Sequence, residues 1–301
     1  MTLFNQSYPP GSSAFYELVR LQVQAALNED IGTGDLTAQL IPESQTMTAT
    51  ITVRETAVIC GIDWVNACFK QVDANVSIHW IVAEGARVQA NQVLCEITGL
   101  ARSLLTAERC ALNFLQTLSA TATETRKYVD AIAGTHAQIF DTRKTIPNLR
   151  LAQKYAVTAG GGYNQRLALY DGILIKENHI AAAGSISAVL QQAFALGTAA
   201  SIQIEVETLD QLKEARRAGA TSILLDNFSP TLLSEAVKIN KADVQGPTLV
   251  ASNLHSAILE ASGGITLENV REIALTGVDR ISIGSLTKNV RAIDLSMRVK
   301  M

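Results

Sequence analysis

The sequence lacks the spacing that metal or disulfide chemistry uses. Its cysteines, Cys60, Cys68, Cys95 and Cys110, form no CxxC pair, and His79, His136, His179 and His255 are equally scattered. No zinc site and no disulfide framework is suggested, so reduced thiols of a cytosolic protein are expected. An excess of one charge is also missing: 25 Lys+Arg stand against 28 Asp+Glu, a net charge of −3. That excludes a surface built as a whole for nucleic acid or anionic lipid, and leaves room for a local basic pocket. A secretory signal is not expected, because the first basic residue is Arg20 and Met1 to Ser13 carries Pro9, Pro10 and Gly11. The longest stretch without Asp, Glu, Lys or Arg, Asn178 to Ile204, contains His179, Gly184, Gln191, Gln192 and Gly197. An amphipathic helix followed by a strand explains it better than a membrane span. No repeat of fixed period and no low-complexity tract is present. What is present is apolar material, 48% of 301 residues, enough for one large domain or two small ones. The expectation is a cytoplasmic globular protein with no membrane or nucleic-acid partner.

The chain changes character along its length. A helix is predicted near Phe15 to Leu27, then short β-rich segments such as Thr48 to Glu55 and Val76 to Ala83. A long helix follows over Ala101 to Ile132, with Leu104, Ala107, Ala111, Leu115 and Leu118 at helical spacing. Beyond it, β-branched runs alternate with helical patterns: Ala137–Asp141, Gly172–Lys176, Ile202–Val206, Ser222–Asp226, Ala257–Ala261 and Arg280–Ile283. Alternating strand and helix implies parallel strands with right-handed crossovers, hence an α/β barrel or an open sheet, and repeated units of this kind favour a barrel, if a compact one. Lys241 to His255 fits this rhythm poorly and is taken as an elaborated connection rather than an extra strand.

Polar groups and glycines gather after these runs, where α/β barrels build their sites. Arg143 and Lys144 follow the first. Lys176 ends the second behind apolar Ile173-Leu174-Ile175, where a lysine is costly without a partner. Glu205 interrupts the third, and Asp226 ends the fourth, where capping the next helix is the plainer role. Ser262-Gly263-Gly264 precedes a helical pattern beginning near Thr266, and Gly284-Ser285 precedes Leu286. Glycines admit an anion close to backbone, and a helix amino end offers it free N–H groups. Arg109, Arg143, Lys144, Arg166 and Lys176 concentrate in the middle of the chain; guanidinium groups bind carboxylates and phosphates bidentately. Together these suit transfer of a sugar phosphate to an acidic acceptor.

The same stretches resemble the quinolinate phosphoribosyltransferases, type II phosphoribosyltransferases also called carboxylating nicotinate-nucleotide pyrophosphorylases. The resemblance runs from Glu29-Asp30-Ile31-Gly32-Thr33-Gly34-Asp35-Leu36-Thr37 through Glu108-Arg109-Cys110-Ala111-Leu112-Asn113 and Asp141-Thr142-Arg143-Lys144-Thr145. It continues with Gly160-Gly161-Gly162, Lys176-Glu177-Asn178-His179, Leu225-Asp226-Asn227 and Ser262-Gly263-Gly264.

That resemblance implies an α/β protein with a mixed amino-terminal domain, residues 1–113 joined by 288–301, and an incomplete, open α/β barrel of TIM-like type over 114–287. It implies that quinolinate reacts with phosphoribosyl pyrophosphate to give nicotinate mononucleotide, pyrophosphate and carbon dioxide. It implies Mg2+ near Glu205 and Asp226, held through water, with Lys144, Glu205 and Asp226 as the catalytic set. Arg109, Arg143, Gln165, Arg166 and Lys176 would bind quinolinate, while Ser262, Gly263, Gly264, Gly284 and Ser285 would cradle the phosphate. Arg109 would reach a neighbouring subunit's site, so a homodimer is the minimum assembly. In Tyr163-Asn164-Gln165-Arg166 the family generally has histidine where this chain has Gln165, which donates a hydrogen bond but never becomes cationic. A same-fold paralogue acting on another acceptor is the alternative.

Overall fold

A computed structural model describes residues 6–198, 200–242 and 256–300, and residues 243–255 of the connection expected over Lys241–His255 lie outside it. The chain divides into two units. One comprises Met1–Arg126, Lys144–Gly161 and Ser285–Met301; the other comprises Lys127–Arg143 and Gly162–Gly284. Strands are numbered β1 to β12 along the chain.

In the first unit, helix Ser13–Ile31 starts where the Ser12 hydroxyl accepts the Phe15 N–H, and it buries Phe15, Val19, Val23 and Leu27, one residue per turn. Strands β1 (Thr46–Val53), β3 (Ser77–Trp80), β5 (Val93–Leu100) and β12 (Leu295–Val299) form an antiparallel sheet in the order β12-β1-β5-β3. Alternate residues Ala49, Ile51 and Val53 of β1 are fully buried, as expected for a sheet covered on one face. β2 (Ala57–Val58) and β4 (Arg87–Val88) pair separately.

Helix Ile62–Val72 has no capping side chain of its own; the Glu84 carboxylate accepts the Gly61 and Ile62 N–H groups at 2.8 and 3.0 Å. Burial pushes the Glu84 pKa up, and these donors oppose that rise. Phe15, Trp64 and Tyr155 cluster with ring centroids 5.3 to 5.7 Å apart. Helix Ala101–Ala131 buries Leu104, Ala107, Ala111, Leu115 and Leu118 completely, matching their helical spacing.

The second unit holds β6 (Gln138–Phe140), β7 (Gly172–Ile175), β8 (Ser201–Val206), β9 (Ser222–Asp226), β10 (Ile258–Ser262) and β11 (Arg280–Ser282). All pairings are parallel, in the order β6-β11-β10-β9-β8-β7. β6 and β7 are therefore the two edges of an open barrel. Tyr163 forms a parallel bridge to Phe140, the Tyr163 N–H donates to the Ile139 carbonyl at 2.8 Å, and Arg166 donates to the Gly172 carbonyl at 2.9 Å. Residues 163–166 thus touch both edges and fill the gap that a closing strand would occupy.

The sheet has two unlike faces. Cross-strand partners, and residues two apart along a strand, share a face. One face carries Ile139, Ile175, Ile204, Val206, Ile223, Leu225, Leu259, Ala261 and Ile281, all buried. This is the face helices cover, and its burial is the main stabilising term of the unit. The register puts Gln138, Arg280, Glu260, Leu224 and Glu205 on the opposite face, with Gln203 two residues before Glu205. That face carries polar and charged side chains of the strands. The helix expected from about Thr266 begins later, at Val270–Leu275. Asn269 Oδ1 accepts the Thr266 N–H and its amide donates to the Gly264 carbonyl, which holds 264–269 as a turn. Among the described residues no helix is long and apolar enough to cross a membrane.

Candidate active site

Three neighbouring strands deliver charged groups to one rim of the polar face. Lys176 follows β7, Glu205 lies in β8, and Asp226 ends β9, two residues beyond Leu224, the register partner of Glu205. Glu205 and Asp226 therefore share a face, with Asp226 one step nearer the carboxyl end. Lys176 Nζ donates to Glu205 Oε2 at 2.8 Å, with the lysine half exposed and the glutamate nearly buried. This supplies the partner that a lysine at the edge of a core requires. Asp226 Oδ2 accepts the Asn227 side-chain amide at 2.7 Å, which ties it to the turn after its own strand, and at the start of the next helix, Pro230–Ala242, the Ser229 hydroxyl accepts the Leu232 N–H.

Arg143 and Arg166 add positive charge. Burial first, and then the neighbouring Arg143 guanidinium, lower the Arg166 pKa, with Asp171 opposing. Two guanidinium groups this close concentrate positive charge at this end of the loop. The loop carrying Arg166 is anchored from below. The buried Asp141 carboxylate accepts the Gln165 N–H at 2.9 Å and the Asn164 amide at 2.7 Å.

Ser262 ends β10 next to Asp226, its register partner, and Gly263-Gly264 follow. Gly263 and Gly264 have φ of +98° and +59°, and a Cβ on Gly263 would stand 2.2 Å from Asn227 Oδ1. Only glycine fits there. Gly284 closes the second unit, while Ser285 opens helix Ser285–Lys288 and belongs to the first. Lys144 also belongs to the first unit, exposed, its carbonyl accepting the Thr287 hydroxyl at 2.7 Å. Arg109 stands exposed on helix Ala101–Ala131, one turn beyond half-exposed Leu105.

Arg143, Gln165, Arg166, Lys176, Glu205, Asp226, Ser262, Gly263, Gly264 and Gly284 all belong to the second unit. A groove of about 610 Å³ in the first unit, lined by Glu29, Asp30, Cys110, Asn113 and Pro147 among others, includes none of the expected residues. Burial and the nearby Asp30 push the Cys110 thiol up to about 11, which leaves it an unreactive thiol.

Two residues escaped the sequence reading. Glu260, fully buried in β10, accepts hydrogen bonds at Oε2 from the side-chain amides of Gln165 and, at 3.0 Å, Gln203. Gln203 also donates to the Ser222 hydroxyl at 3.2 Å. The signal was available, because Glu260 interrupts Ile258-Leu259-Glu260-Ala261 as Glu205 interrupts its own strand.

Comparison with known proteins identifies the family. Residues 35–119 match the family model described as quinolinate phosphoribosyl transferase, N-terminal domain, and residues 121–298 match its C-terminal domain. A probable carboxylating nicotinate-nucleotide pyrophosphorylase of Bacillus subtilis is 42% identical over 286 residues, covering 93% of this chain and 94% of that protein. The carboxylating nicotinate-nucleotide pyrophosphorylase of Mycobacterium leprae is 39% identical over 290 residues, covering 95% and 99%. The solved nicotinate-nucleotide pyrophosphorylase of Francisella tularensis superposes with a TM-score of 0.88 at 43% identity, covering 95% of this chain and 97% of that one. The chain belongs to the quinolinate phosphoribosyl transferase family.

Proposed function

We propose that the protein transfers the phosphoribosyl group of phosphoribosyl pyrophosphate to quinolinate, releasing pyrophosphate and carbon dioxide and forming nicotinate mononucleotide for NAD biosynthesis. The observation that carries this reading is the rim itself: Lys176 is bonded to Glu205, Asp226 shares the Glu205 face with a glycine turn beside it, and the neighbouring cations Arg143 and Arg166 belong to the same unit.

Quinolinate is a dianion at neutral pH, and its carboxylates are met by Arg143, Arg166 and Lys176. A carboxylate arriving at Lys176 competes for the ammonium that Glu205 holds. Glu205 is then released to face the ribose, where loss of pyrophosphate builds positive charge at the anomeric carbon. Glu205 and Asp226 stabilise that charge and hold ribose hydroxyls. The backbone of Ser262, Gly263 and Gly264, with Gly284 and Ser285, cradles the ribose phosphate. Lys144 meets the departing pyrophosphate. The pyridine nitrogen becomes cationic on joining ribose and is itself the electron sink for decarboxylation.

Among the described residues no group of three or more His, Cys, Asp or Glu could hold a metal. Two carboxylates on one rim fit Mg2+ in its usual mode, bound by one or two carboxylates, waters and substrate phosphates rather than by a protein cage. Glu205 and Asp226 would hold it, and the ion would supply neutralisation of the leaving pyrophosphate.

Exposed Arg109, together with Leu36, Leu40 and Leu105 at 80%, 84% and 37% exposure, supports a homodimer in which Arg109 serves the neighbouring site. The Thr106 hydroxyl donates to Asp35 at 2.8 Å, which keeps the Leu36 segment beside this part of the helix. A cytoplasmic location accords with four buried free thiols.

The test is a coupled assay with quinolinate, phosphoribosyl pyrophosphate and Mg2+, following mononucleotide and carbon dioxide together, with nicotinate as control acceptor. Equal yields of both products from quinolinate are expected. No turnover by a folded oligomer would refute the reading and favour another acceptor.

A further inference from the structure

The buried carboxylate of Glu260 has no part in the chemistry above. It is 0% exposed, in the middle of the polar face, and its register partners are Leu224 and Arg280. The Arg280 guanidinium lies 4.8 Å over the Phe140 ring rather than against the carboxylate, and no ion pair to Glu260 is found among the described residues. Oε2 accepts from Gln165 and Gln203, whereas Oε1 is buried with no hydrogen-bond partner. A charge so placed is costly, and its gain must come from what it holds.

What it holds is the side chain at position 165. An ionised carboxylate only accepts, so the Gln165 amide must turn its nitrogen toward Glu260. The same nitrogen lies 3.4 Å from Gln203 Oε1, while Gln203 gives its own amide nitrogen to Glu260. Glutamine amides ordinarily have two orientations of similar energy. Here one acceptor-only group fixes both amides in a single sense. The main chain of the same residue is fixed by Asp141. Position 165 is therefore determined twice, once through its backbone and once through its side chain, in the loop that also carries Arg166 and fills the barrel gap.

We propose that Glu260 is a positioning residue for the acid-binding pocket: it locks the side chain at position 165 and thereby sets how that position meets the acceptor. This rests on the reading that Gln165 lies against quinolinate. The Gln165 nitrogen is committed to the barrel interior, so attraction of the acceptor's carboxylates falls to Arg143, Arg166 and Lys176. The charged groups around position 165 are then Asp141 and Glu260 beneath it, Arg143 and Arg166 beside it, and Arg280 on the adjoining strand.

The test is a double-mutant cycle in the full-length protein. Glu260→Gln keeps the shape and removes the charge, leaving three amides that can pair in either sense. A rise of three-fold or more in the KM for quinolinate is expected, with kcat and the KM for phosphoribosyl pyrophosphate within two-fold. In a Gln165→Ala background the same substitution should change the quinolinate KM less than 1.5-fold, because the group it positions is gone. Equal effects in both backgrounds would mean that Glu260 merely supports the fold, and would overturn the proposal.

A second measurement needs neither substrate nor the Glu260 variant. The imidazole introduced by Gln165→His, titrated by NMR, should have its midpoint at least about one pH unit above the ordinary value near 6.5. A midpoint at or below that value overturns the proposal even if Glu260→Gln does not fold. Absence of wild-type turnover with quinolinate would instead defeat the functional reading, and a midpoint that is not raised would still overturn the role of Glu260 on its own.

Discussion

Adding one methyl group at Gly263 tests whether the turn after β10 is built for an anion. The new Cβ would lie 2.2 Å from Asn227 Oδ1 and 3.0 Å from the Asn227 nitrogen, on a residue whose φ is +98°. An L-residue held in such a conformation costs roughly 1–3 kcal/mol before any overlap is counted. Asn227 cannot move aside freely. It has φ of 57°, its amide donates to Asp226 at 2.7 Å, and its N–H donates to the Ser262 carbonyl at 2.9 Å. Breaking the bond to Asp226 forfeits roughly 1.5–3 kcal/mol.

If about 3 kcal/mol of this total falls on the site, kcat/KM for phosphoribosyl pyrophosphate drops about a hundredfold for Gly263→Ala, at about 1.4 kcal/mol per tenfold. Gly264→Ala is the control. Its φ is +59°, a conformation alanine tolerates at roughly 1–2 kcal/mol, and nothing lies within 4 Å of the added carbon. The loss there should stay near tenfold or less. Steady-state kinetics on both variants, with urea midpoints to separate folding from binding, check the comparison. Equal losses at the two positions, or none at Gly263, would refute the reasoning.

Other expectations follow from the same geometry. Glu205→Gln removes the partner of Lys176 and the charge proposed to face the ribose, so turnover should fall at least a hundredfold with a smaller change in the quinolinate KM; unchanged kcat in a stopped assay would remove its assigned role. Asp35 accepts the Ala38 N–H at 3.0 Å and the Thr106 hydroxyl at 2.8 Å, and these bonds lower its pKa in the fold. A lowered carboxylate pKa contributes stability above about pH 4 that is lost as pH falls through the folded value. Asp35→Asn should therefore lower the urea midpoint at pH 7 and narrow its fall toward pH 3, and an unaltered pH profile would contradict this. Arg109→Ala mixed with Glu205→Gln should recover part of the wild-type rate if sites are shared between subunits, whereas additive inactivity would exclude sharing.

Much of the second unit was legible because its signals are local. Each strand is a short apolar run, and the alternation along Ile202-Gln203-Ile204-Glu205-Val206 already divides the residues between two faces. The buried stripe of Leu104, Ala107, Ala111, Leu115 and Leu118 is likewise a property of one helix. Lys176, Glu205 and Asp226 were visible as charges at the ends of such runs, or within them, and the register confirms that Glu205 and Asp226 share a face. The helix expected at Thr266 starts later because Asn269 caps a turn there, a choice made by one side chain folding back on its neighbours.

The sequence by itself determined the strand and helix rhythm, the parallel α/β class and the chemical types gathered at strand ends, because each follows from patterns within a few residues, whereas the open barrel was implied only by the family resemblance. Only the tertiary structure decided which polar groups meet. Glu260 lies 95 residues from Gln165 and 57 from Gln203, and no local pattern records that strand order and register bring all three to one face. Whether a lone glutamate in an apolar run is bonded to a cation at the rim, as Glu205 is, or holds other side chains in the interior, as Glu260 does, depends on its depth along the strand and on what its neighbours present. Those are consequences of packing between strands, not of the run in which the residue sits.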